Sequence, residues 1–144
     1  MFGKPSPKVL LAATVDASKQ VTAYLAGLVE LVTAHTFDKA VALLCSGERP
    51  ALVVVGYHFD ELRPYRFIQH VKSDPQSADL PVLLIRALPL HLGTDNVETM
   101  RDAYTGIGVT DFVSLHDLER DHGHARAAEV FRQTVLTILL RKRA

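Results

Sequence analysis

Five short runs rich in apolar residues recur along the chain, and each is followed by a segment whose apolar residues return every third or fourth position. The runs are VLLAA at 9–13, ELVTA at 30–34, LVVV at 52–55, VLLI at 82–85 and DFVSL at 111–115. An apolar run of this length without strict alternation suits a strand covered on both faces, the kind found in parallel sheets flanked by helices. After the first run, Val21, Tyr24, Leu25 and Leu28 form one helical stripe, with Asp16 or Ser18 as N-cap. Thr36 caps a second helix whose apolar face is Phe37, Ala40, Val41 and Leu44, ended by Ser46 and Gly47. Pro64 suits the first turn of a third, which buries Phe67, Ile68 and Val71. Past a loop holding Pro89 and Gly93, Asp95 and Glu98 have capping-box spacing ahead of Val97, Met100 and Tyr104, and Gly106 stops that helix. The last helix, 125–141, buries Val130, Phe131, Val135, Ile138 and Leu139. Arg141, Lys142 and Arg143 oppose its negative end.

Strand–helix alternation repeated five times predicts a (βα)5 doubly wound α/β sandwich. The flavodoxin-like strand order 2-1-3-4-5 follows as the common five-strand solution, with any ligand site at the carboxyl ends of strands 1 and 3. The 144 residues make one domain, 8–144, behind a flexible leader at 1–7. Sixteen Lys and Arg against sixteen Asp and Glu leave zero formal charge. That argues against a nucleic-acid partner held by phosphate neutralisation. A single cysteine, Cys45, excludes an internal disulfide and is expected on or beside the buried side of the second helix, inert. The apolar runs are too short to span a bilayer and the leader lacks a signal peptide's apolar stretch, so a cytoplasmic protein with no membrane partner is predicted.

The predicted strand ends carry little chemistry. They are Ala13 and Thr14, Gly56, Arg86 and Leu115, with no carboxylate to hold a hard cation. The G-x-S-x-G elbow, the G-x-G-x-x-G fingerprint and the P-loop are all absent, so no enzyme activity is predicted.

Residues 8–13, the strand at 50–56, LPVLLIRA at 80–87 and GVTDFV at 108–113, in this order and spacing, resemble the landmark segments of bacterial response-regulator receiver (CheY-like) domains. Ala34 and Ala40 match small residues of that family's second strand and second helix, and the resemblance runs from about residue 8 to 141. It implies the same fold, but the family's chemistry does not carry over. The metal-holding acidic pair falls on Ala13 and Thr14, the phosphoacceptor on Gly56, and the switch hydroxyl on Arg86. The lysine falls on Leu115 and the proline after it on His116. Only the switch aromatic is kept, as Phe112. The resemblance therefore implies a degenerate pseudo-receiver with no Mg2+.

Two acids stay near the predicted cleft, Asp16 and Asp60. Asp16 reads as a helix cap, and Asp60 with Glu61 as a solvated loop. In a sharper reading, Arg86 pairs with Asp16 or Asp60 through a guanidinium fork, replacing the metal's charge and locking one conformation. Of the seven histidines, only His122 and His124 cluster, beside Asp121 on a loop. Two such ligands fall short of a structural zinc site, and no metal is predicted.

Two functions are open. One is a stand-alone pseudo-receiver, an atypical response regulator of a phosphorelay-type pathway that acts by phosphorylation-independent protein–protein contact. By the family's habit it would use the face of the fourth helix, fifth strand and fifth helix, for a partner or a homodimer. Arg101, Tyr104, Arg126 and Arg132 are the candidate anchors there. The other is a regulator with its phosphoacceptor displaced to Asp60, or a sensor of small anions at Arg86 in the vacated cleft.

Overall fold

The computed structural model describes residues 6–46, 49–62, 64–87 and 97–143. Five strands, β1 (Lys8–Ala12), β2 (Glu30–Ala34), β3 (Leu52–Gly56), β4 (Val82–Arg86) and β5 (Asp111–Ser114), form one sheet in the order β2-β1-β3-β4-β5. Every pairing is parallel. This is the flavodoxin-like, CheY-like arrangement that the apolar runs predict. Pro7, counted with the leader in the sequence, already lends its carbonyl to the Glu30 N–H at 2.8 Å.

Among the described residues, seven helical segments surround the sheet: α1 (Val15–Tyr24), α2 (Phe37–Cys45), α3 (Phe59–Leu62), α4 (Pro64–Ser73), α5 (Val97–Thr105), α6 (Leu115–His122) and α7 (His124–Arg143). Strand alternation divides the core in two. Val9, Leu11, Ala13, Leu52, Val54, Leu83 and Ile85 pack with α1, Leu115 of α6 and the Ala127, Phe131, Val135, Ile138 and Leu139 face of α7. Leu10, Ala12, Val53, Val55, Val82, Leu84 and Phe112 pack on the other side, with Ala40 of α2, Phe59 of α3 and Phe67, Ile68 and Val71 of α4.

Several boundaries differ from the sequence expectation, each for a local reason. The N-cap of α1 is Thr14, whose hydroxyl accepts the Ala17 N–H at 3.2 Å, so Asp16 sits inside the first turn and Ser18 is buried. The strand passes directly into the helix, leaving no residues for a later cap. Cys45 is exposed, not buried, because Ala40, Val41 and Leu44 take the inward stripe of α2 and Cys45 falls one residue past it. Val130 is half-buried, since α7 turns Ala127 and Phe131 to the core.

The largest departure follows β5. The expected strand residue Leu115 is the first residue of α6, and the expected loop around Asp121, His122 and His124 is the end of this helix, its Gly123 cap and the first residue of α7. Ser114 caps it by accepting the Asp117 N–H at 3.2 Å, and Gly123, at φ 83°, ends it by donating its N–H to the Glu119 carbonyl. Residues 1–5, Gly47, the loop with Pro89, His91 and Gly93, and the capping residue expected at Asp95 lie outside the described residues. Among the described residues, no helix is long and apolar enough to cross a membrane.

Candidate functional site

The carboxyl ends of the central strands meet where the strand order reverses, between β1 and β3. At that point Ala13 is fully buried, and a Cβ placed on Gly56 would lie 3.2 Å from the Ala13 Cβ. The two positions are thus closed against one another by hydrocarbon and backbone. The ring Nδ1 of His35 lies 2.9 Å from the Ala13 carbonyl, and the Thr14 hydroxyl is engaged by the Ala17 N–H. A divalent cation needs several oxygens, mostly carboxylate. Ala13, Gly56 and an engaged Thr14 do not fit one. Among the described residues, no group of three or more His, Cys, Asp or Glu side chains is placed to hold a metal ion.

The β4 and β5 ends are built differently. Arg86, only 5% exposed, places Nη2 at 3.2 Å from both carboxylate oxygens of Asp117. The partner is thus Asp117 and not, as the sharper reading of the sequence expects, Asp16 or Asp60. Register explains why: Arg86 lies opposite Ser114, the cap of α6, and Asp117 stands one turn into that helix. Asp16 is instead exposed in the first turn of α1. Asp60 is half-buried in α3 with its backbone at φ 48°. The geometry also differs from the expected fork, since one nitrogen straddles both oxygens. Asp117 is favourably placed beyond this pair. It occupies the first turn of α6, where the helix dipole favours an anion, and Arg120 approaches its Oδ1 at 3.2 Å. A buried guanidinium needs such compensation, because leaving water is expensive for any ion.

Sequence reasoning missed a second fastening of α6. Glu119 Oε2 accepts hydrogen bonds from the Tyr24 hydroxyl and, at 2.8 Å, from Gln20 Nε2, both on α1. The His124 Nδ1 of α7 stands 3.1 Å from the same oxygen. The Tyr24 and His124 rings are 5.3 Å apart, and Tyr24 is 1% exposed. His124 therefore serves this junction, while His122 is exposed at the end of α6. Asp121 pairs with Arg120, whose hydrogen bond holds the carboxyl below its usual range. The signal for α6 was in the sequence: Ser114 and Asp117 have the S-x-x-D capping spacing, and Gly123 is a stop. Leu115 and His116 are thus helical residues at this end of the sheet, and Leu115 is fully buried.

Phe112 is fully buried on the α4 side of the sheet. Nearby, Tyr104 is half-buried on α5, its ring 6.4 Å from Tyr57 and nearly perpendicular to it. Burial, and then the neighbouring Tyr57, raise its hydroxyl above the ordinary value of 10.0. Arg126 is exposed on α7 and paired with Glu129 at 2.7 Å. Arg101 donates to the Phe112 carbonyl at 2.8 Å. Arg132 does not join them. It turns to the end of α1, donating to the Tyr24 and Ala26 carbonyls at 3.1 and 3.4 Å. Arg101 thus lies against β5, Tyr104 against Tyr57 and Arg126 on the exposed side of α7, while Arg132 fastens α7 to α1.

No family model matches the sequence. Nor does any curated protein match it. Solved structures do resemble the fold. A candidate response regulator from Chloroflexus aurantiacus superposes with a TM-score of 0.72 at 17% identity, covering 95% of this chain and 99% of its own. The signal receiver domain of an HD domain-containing protein from Pseudomonas fluorescens gives 0.70 at 14% identity, covering 99% and 93%. A phosphorylated cyanobacterial phytochrome response regulator gives 0.68 at 16% identity, covering 90% and 91%. The chain therefore has the fold of response-regulator receiver domains.

Proposed function

We propose that this chain is a pseudo-receiver, an atypical response regulator of a bacterial phosphorelay-type pathway that works by protein–protein contact and without phosphorylation or enzymatic turnover. One observation carries the reading. Buried Arg86, paired with half-buried Asp117, stands beside a β1–β3 end closed by Ala13 and Gly56, where a receiver would gather carboxylates around a cation. A guanidinium buried there would oppose a metal by charge, and its link to α6 favours a single arrangement of the strand ends. The partner face is the one formed by α5, β5 and α7, with Tyr104 and Arg126 as anchors and a protein partner or a second copy as occupant.

The experiment is incubation with Mg2+ and acetyl phosphate, read by intact mass. No added phosphate is the expected result. A stable adduct, with Asp60 as the acceptor, would overturn the proposal in favour of a displaced phosphorylation site. On the face, Tyr104→Ala with Arg126→Ala is expected to weaken partner capture or self-association while the fold is retained.

A further inference from the structure

The open edge of β5 has a cover of its own, and this conclusion stands apart from the proposed function. Among the described residues, β5 is the last strand of the sheet and is paired only with β4. Such an edge is a template for another chain's backbone unless something blocks it. The Val53 and Tyr57 N–H groups go to the Pro81 and Ile85 carbonyls, so alternate β4 residues face β3 and Leu84 faces β5. In a parallel ladder with Leu84 opposite Phe112, the bonded β5 residues are then Asp111 and Val113. Phe112 turns its N–H and C=O to the open side.

Both groups are already taken. The Phe112 N–H donates to Asp111 Oδ1 at 2.7 Å, and its carbonyl accepts from Arg101 Nη2 at 2.8 Å. Arg101 Nε stands 3.4 Å from that same Asp111 oxygen, which closes the two side chains into one cover over the donor and the acceptor. A groove of about 400 Å³ runs beside the edge, lined by Arg101, Asp111, Phe112, Ser114, Leu118 and Thr134 among others.

We infer that Arg101 and Asp111 guard the β5 edge, and that the partner they exclude is a second copy of this chain pairing β5 with β5. Any partner of the α5–β5–α7 face then meets side chains, not strand backbone. The test compares the wild-type chain with the Arg101→Ala, Asp111→Ala double variant by sedimentation velocity over a concentration series. Freeing one donor and one acceptor predicts a gain of about tenfold or more in self-association constant. At concentrations where the variant is monomeric, the Phe112 amide is expected to exchange deuterium faster than in the wild type. A folded double variant that sediments like the wild type, or whose Phe112 amide exchanges no faster, overturns the inference. If the double variant does not fold, Arg101→Met alone frees the carbonyl and keeps Asp111 on the N–H. Unchanged association in that folded variant overturns the inference as well.

Discussion

The two halves of the cleft at the carboxyl end of the sheet reach stability by opposite routes. At β1 and β3 the side chains are reduced to a methyl group and a hydrogen, and the backbones close on one another. At β4 and β5 a long cation is buried and answered by a carboxylate from the next helix. The first half is closed by uncharged groups at Ala13 and Gly56. The second keeps a full charge in a place where charge is costly, and the Asp117 carboxylate of α6 helps to offset it. A small-residue closure tolerates only small residues, whereas an ion pair makes two distant elements depend on each other.

That contrast can be broken or sharpened. The largest effect is expected from Asp117→Ala, which leaves Arg86 buried without this carboxylate. A loss of about 3 kcal/mol in urea-unfolding free energy is predicted. Arg86→Met removes the buried charge along with its partner's bond, and Asp117 keeps the helix terminus and Arg120. Its loss is predicted to be smaller, about 1 kcal/mol. Equal losses for the two variants would mean the pair is not maintained as described. Between these two in size is Gly56→Asp, which forces a side chain against Ala13 in a central strand. It is expected to lose about 2 kcal/mol through overpacking. Ala13→Gly in the same chain should recover part of that loss, a coupling that a double-mutant cycle measures.

The smallest effect concerns pH and lies outside the cleft. The Tyr104 hydroxyl is held above 10.0, so the folded chain keeps this proton more tightly than the unfolded one. Its contribution to stability is fully present below pH 10.0 and is lost as pH rises through the folded-state value. Tyr104→Phe is expected to make the alkaline limb of the stability profile shallower, read from thermal unfolding across that range.

The sheet was legible because its strands announce themselves. Runs such as LVVV and VLLI, buried on both faces, leave parallel β structure as the simple reading, and the strand order followed from connection rules. Ala13, Gly56 and Arg86 could be placed at the strand ends for the same reason. Arg86's partner could not. Finding Asp117 required knowing that 115–122 is helical, and the charged stretch DLERDH looks like a solvated loop when its cap and stop are overlooked. Arg132 shows a second limit. Helical spacing places it on α7, but only the crossing of α7 over the end of α1 decides that its guanidinium meets backbone carbonyls. Phe112's covered backbone was beyond reach too, because no pattern in a sequence marks which side chain folds back over a strand edge.

A single Glu119 oxygen receives groups from α1 and α7 while belonging to α6. Fraying of the last turn of α1, the body of α6 or the first turn of α7 must therefore release the same acceptor. These three segments are expected to open as one cooperative unit, with a common amide-exchange rate, and Glu119→Gln should lower their protection together.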